Sequence, residues 1–94
     1  MVSPRHLGGT AALLERYEEA RDYYKEAIRI CTEMRFRLEQ ALSHLELAEL
    51  LLKHYPQEKS EAIAHLDFVI PEFRDMKMQP SLERALRHKE ILKA

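Results

Sequence analysis

The chain is poor in the residues that staple or punctuate a small fold: 94 residues include one cysteine, two glycines and no tryptophan. A lone Cys31 excludes an intrachain disulfide and a thiolate zinc cluster, and on a helix it reads as a small buried hydrophobe. Apolar runs such as Leu50-Leu51-Leu52 are far too short to span a bilayer. Residues 1–9 lack the continuous apolar stretch of a secretory signal, so a reducing cytoplasm and no membrane partner are expected. Charge of one sign is missing too. The 15 basic and 16 acidic residues are interspersed and leave a net charge of −1, so no cationic block can neutralise phosphates and no nucleic acid is expected as a partner.

What is present is helical. Hydrophobic residues make up 46% and charged residues 33% of the chain, a balance that suits one small, soluble, all-α domain over residues 1–94. Ser3-Pro4 is a start signal, since serine accepts from free amides and proline suits a first turn; the first helix is predicted from Pro4 to about Glu15. Gly8 and Gly9 weaken that helix by roughly 1 kcal/mol each, a cost that points to a close neighbour. The second helix, Tyr17 to Met34, places Tyr17, Ala20, Tyr24, Ala27, Ile28 and Cys31 on one face and Glu18, Arg21, Asp22, Lys25 and Arg29 on a solvated one. The third, about Phe36 to His54, has a stripe of Leu38, Ala41, Leu45, Ala48 and Leu52. It carries Leu47, Leu50 and Leu51 as well, so it is packed from more than one side and should be the centre of the bundle.

Tyr55-Pro56 breaks the pattern. A fourth helix is predicted from about Gln57 to Asp75, with Ala62, Ile63, Leu66, Ile70 and Phe73 inward. Pro71 should kink it near residues 67–71 without marking a domain boundary. After Gln79-Pro80-Ser81, a final helix carries Leu82, Ala85, Leu86, Ile91 and Leu92. Short connections favour antiparallel hairpins.

Leu7-Gly8 in the first helix, followed by Ala20, Tyr24 and Ala27 in the second, resembles the tetratricopeptide repeat, with small residues where helices cross and an aromatic beside them. Pro4, Ala11 and Thr32 depart from that pattern. A second hairpin has Ala62 and Leu66 in the places of Ala20 and Tyr24, but Ala20 and Ala62 are 42 positions apart against about 34 in the family. The resemblance implies about two repeats (residues 4–34 and 36–75) plus a capping helix (81–93) in a right-handed superhelical array. Across Leu45–Leu52, Glu61–Asp67 and Met78–Leu86 the chain is also similar to the C-terminal helical-repeat region of large bacterial signalling proteins that join an ATPase to a cyclase, kinase or transcription-regulator module. That similarity implies a piece of a longer polypeptide whose catalytic parts lie elsewhere.

Motifs for chemistry are absent. His6, His44, His54, His65 and His88 are never three or four residues apart, so no two share a helical face as ligands; they read as rim or solvent-facing, with a site assembled between helices as the minor alternative, and no metal is expected. Glu18-Glu19 diverge around a helix, Leu7-Gly8-Gly9-Thr10 lacks the spacing and lysine of a phosphate loop, and no nucleophile stands in a catalytic context. No catalytic residue and no cofactor are expected.

The expected function is non-catalytic protein binding, as a scaffold in the regulatory region of a multidomain signalling protein. In the family, the first helix of each hairpin lines the concave side, which implies the first, third and fifth helices here. On the third, Gln40, Ser43, His44 and Leu47 share an arc away from the main stripe and are the candidate groove residues. Leu47 has two readings, contact with a partner or burial against the first or final helix. The partner would be a protein or peptide segment, including other modules of a parent chain. The alternative is a homo-oligomerisation module, a homodimer in the simplest case, joined through residues near Leu7, Leu13 and Leu14 or Leu86, Ile91 and Leu92.

Overall fold

The computed structural model describes residues 3–93. Five helices, α1 (Pro4–Leu13), α2 (Tyr17–Met34), α3 (Arg37–His54), α4 (Lys59–Asp75) and α5 (Gln79–Lys93), are joined by short turns, with one turn of 3₁₀ helix at Pro56–Glu58. No strand occurs among the described residues, and none of the helices is long and apolar enough to cross a membrane. The fold is all-α.

Local chemistry sets the boundaries. Ser3 is extended and its Oγ accepts from the His6 amide at 3.3 Å, with Pro4 in the first turn. Three helices then end alike. The amides of Arg16, Phe36 and Met78 reach back to the carbonyls of Ala11, Cys31 and Phe73 at 2.8–2.9 Å, while Glu15, Arg35 and Lys77 take left-handed backbone with φ of 57–59°. This is the Schellman closure, made at each turn without glycine. It stops α1 at Leu13, two residues before the predicted end, because Glu15 has already left helical angles. Pro56 holds Tyr55 at φ −132° and ends α3; Gln57 lies in the 3₁₀ turn, so α4 begins at Lys59. That helix runs unbroken through Pro71, and no domain boundary falls there.

Each helix packs chiefly on the next in sequence, with a narrower edge between α1 and α3. α3 is central, burying seven residues against four each in α2 and α4. Ala20, Tyr24, Ala27 and Cys31 make the inner face of α2, and Ala62, Leu66, Val69 and Phe73 that of α4, with Leu82 and Ala85 closing the core from α5. Truncating Phe73, which is wholly buried, to alanine would cost about 3–5 kcal/mol.

At the α1–α2 crossing glycine is required. A Cβ on Gly8 would lie 2.8 Å from Tyr24 Cε1, 2.9 Å from Cδ1 and 3.0 Å from Cζ. Long-range ion pairs then tie the helix ends: Arg37 of α3 reaches Glu72 (2.8 Å) and Asp75 (2.7 Å) of α4, and Lys89 of α5 reaches Asp67 of α4 at 2.7 Å. Arg21 lies over the Tyr55 ring, 4.7 Å from its centre, and pins the α3–α4 connection to α2.

Candidate functional site

Positions 46, 49, 50 and 53 recur at three- and one-residue steps, so Glu46, Glu49, Leu50 and Lys53 lie on one arc of α3. That arc forms the base of a groove of about 300 Å³. Gly9, Ala12 and Leu13 of α1 wall one side, Arg84 of α5 the other, and Tyr17, Tyr24 and His54 complete the lining. His54 lies flat on Tyr17, ring centres 3.7 Å apart and planes 18° from parallel.

Charges along the groove are paired across helices. Arg5 of α1 donates from Nε and Nη2 to Glu39 (2.7 and 3.2 Å) and from Nη1 to Glu46 (2.6 Å), and the Tyr24 hydroxyl donates to Glu46 at 3.3 Å. On the far side Glu49 receives both Arg84, whose Nε is 2.6 Å from Oε2, and His88 at 2.8 Å. The acidic edge of α3 is thus fastened to α1 at one end and α5 at the other. Bonding to Arg5 holds the Glu39 carboxyl below its ordinary range. Burial, with the Glu46 charge second, pushes the Tyr24 phenol up. Lys53 is exposed and makes no ion pair among the described residues. The groove therefore offers exposed Leu13, a narrow strip of the largely buried Leu50, one unspent cation, and carboxylates whose charge is already met.

The four residues expected on the groove lie elsewhere. Ser43 and Leu47 are fully buried, and Ser43 Oγ donates to the Glu39 carbonyl at 2.8 Å, so neither offers a surface. Of the two readings of Leu47, burial holds. His44 turns toward α4, meeting His65 and Phe68, and only Gln40 and His44 of the four are partly exposed. Helical phase explains this: contacts from α1 and α2 reach α3 at Glu39, Glu46 and His54, and those from α4 at His44, so the arc between them is enclosed. The arc at the base of the groove carries Glu46, Glu49 and Lys53 among leucines. Charged residues set into an apolar run were the signal for it; their partners Arg5 and Arg84, 34 to 41 positions away, left no local trace.

The histidines are also more engaged than expected. Only His6 is exposed; His44, His54, His65 and His88 are partly buried. His44 Nδ1 and His65 Nδ1 stand 2.7 Å apart, and Glu61 Oε2 is 3.1 Å from His65 Nε2. Burial, then the neighbouring His65, pushes the His44 imidazole down to about 4. Cys31 is buried, as its position implied, and burial raises its thiol.

Comparison with protein-family models, with curated proteins and with solved structures found no match to this chain.

Proposed function

We propose that this chain is a non-catalytic interaction module of tetratricopeptide type that holds a protein or peptide segment in the groove between α1, α3 and α5. The observation carrying this reading is the groove itself. It is walled by alternate helices, the ones that open each hairpin, and it joins exposed Leu13, a strip of Leu50, and the free ammonium of Lys53. Specific recognition needs such a mixture of apolar area and a few placed polar groups. Three features support the repeat reading: the Gly8–Tyr24 contact, the buried Ala20 and Ala27, and packing of each helix on its sequence neighbour. Locked carboxylates argue for binding over catalysis, since Glu46 and Glu49 are committed to arginines. The bound segment is proposed to come from other modules of a cytoplasmic signalling protein.

The test is a peptide-display selection against the chain, followed by amide NMR titration with the selected peptide. Shifts should concentrate at residues 9–13, 46–53 and 84, and a Leu13→Glu/Lys53→Glu double variant should lose binding at unchanged helicity. Shifts confined to the outer face of α2 would sink the groove reading.

A second reading, self-association, is favoured by one observation: Leu13 (86% exposed), Leu14 (62%), Ile91 (67%) and Leu86 (38%) leave apolar area bare on α1, its following turn and α5. Sedimentation over a range of concentrations decides it, and a persistent monomer overturns it.

A further inference from the structure

On the face where α3 meets α4, away from the groove, two histidines from different helices aim the same ring atom at each other. His44 Nδ1 and His65 Nδ1 are 2.7 Å apart, and the rings are tilted 47° with centres 4.9 Å apart. The tautomers follow from the third member. A carboxylate only accepts, so Glu61 Oε2, 3.1 Å from His65 Nε2, fixes the proton on that nitrogen. His65 Nδ1 is then a bare lone pair, and it accepts from His44 Nδ1–H.

This is the outer arrangement of a metal-binding histidine: one ring nitrogen held by a carboxylate, the other free to coordinate. We infer that His44 and His65 form a two-histidine site for a divalent transition-metal ion, zinc in the first instance, with Glu61 orienting His65 and water completing the coordination. The distances fit, but the two rings now point almost head-on at each other and must turn to share an ion. Tetrahedral zinc lies about 2.0–2.1 Å from each nitrogen, which sets the two nitrogens about 3.3 Å apart. The rings must open by about 0.6 Å and turn so that both lone pairs converge on the ion, and the His44 proton moves from Nδ1 to Nε2, leaving both imidazoles neutral. Phe68 packs on His44 with ring centres 4.3 Å apart and gives the site one apolar wall. No group of three or more His, Cys, Asp or Glu side chains is placed to hold a metal among the described residues, so the protein supplies two ligands and solvent the rest. Imidazole donors suit zinc, copper and nickel and disfavour magnesium and calcium. The two ligands are 21 residues apart, which is why spacing along one helix does not reveal them.

Isothermal titration of the EDTA-stripped full chain with zinc chloride should show one saturable site tighter than about 1 mM, and the thermal midpoint should rise with zinc concentration. In NMR spectra zinc should shift the His44 and His65 ring signals, and nickel should broaden the same pair. His44→Ala and His65→Ala should abolish the site, Glu61→Gln should weaken it by about tenfold or more, and His6→Ala and His88→Ala should leave it intact. Glu61→Gln keeps both ligands, so it reports on the site even if an alanine variant does not fold. No saturable binding below 1 mM, or zinc shifts at His6 or His88 instead of the pair, overturns the proposal.

Discussion

Gly8 and Tyr24 touch so closely that position 8 has no room for a side chain: three ring carbons lie within 3.0 Å of where a Cβ would stand. The ring cannot easily give way, because Tyr24 is buried and its hydroxyl is bonded to Glu46. Gly9, one residue on, has only the Tyr24 hydroxyl near its Cβ position, at 3.8 Å. Adjacent glycines should therefore respond oppositely to alanine. Gly8→Ala should destabilise by about 1–3 kcal/mol through overpacking, and Gly9→Ala should stabilise by about 0.5–1 kcal/mol through helix propensity. Urea unfolding of both variants checks the signs; equal signs would refute the contact.

The left-handed turns offer gains. Lys77 and Arg35 are exposed and sit at φ 57° and 59°, a backbone that costs a side-chain-bearing residue roughly 1–2 kcal/mol. Glycine there relieves the strain but loses more entropy on folding. Lys77→Gly should raise stability by about 0.5–1 kcal/mol net, or a few degrees in the thermal midpoint; a fall would show that the side chain matters more than the backbone.

Acid should loosen the contact between α1 and α3. Glu39 is held below its ordinary range by Arg5, so its contribution is present above the unfolded carboxylate value of about 4.3 and is lost as pH falls through the lower folded value. Its side chain is 40% exposed, which limits the effect to about 1 kcal/mol or less. In Arg5→Gln the loss of stability between pH 5 and 2.5 should shrink; an unchanged pH profile would remove Glu39 from the account.

Cys31 should be inert in the folded chain. It is buried and its thiol is raised by burial, so reaction with a disulfide reagent at pH 8 should be at least about tenfold slower than in urea. Equal rates would mean that the end of α2 opens freely.

Much of this fold is legible because the three- and four-residue apolar spacing is regular. Tyr17 to Met34 was bounded correctly, its inner face of Ala20, Tyr24, Ala27 and Cys31 was named, and α3 was placed at the centre. The turns were harder. Glycine is the usual marker of a left-handed helix end, and here both glycines lie in α1 while Glu15, Arg35 and Lys77 make the turns. Gln40, Ser43, His44 and Leu47 lie off this groove for a different reason. α3 is covered on several sides, and periodicity alone cannot rank its arcs; only Arg5 and Arg84, arriving from helices far along the chain, show that Glu46 and Glu49 face the open side.

Packing of each helix on its sequence neighbour also bears on the order in which the contacts can form. Contacts that are local along the chain are quick to form, and a growing chain exposes its N-terminal helices first. α1 and α2 can lock Gly8 under Tyr24 while α4 is still being synthesised. The far wall of the groove must wait for Arg84 to reach Glu49, so the groove takes shape only after α5 has been made.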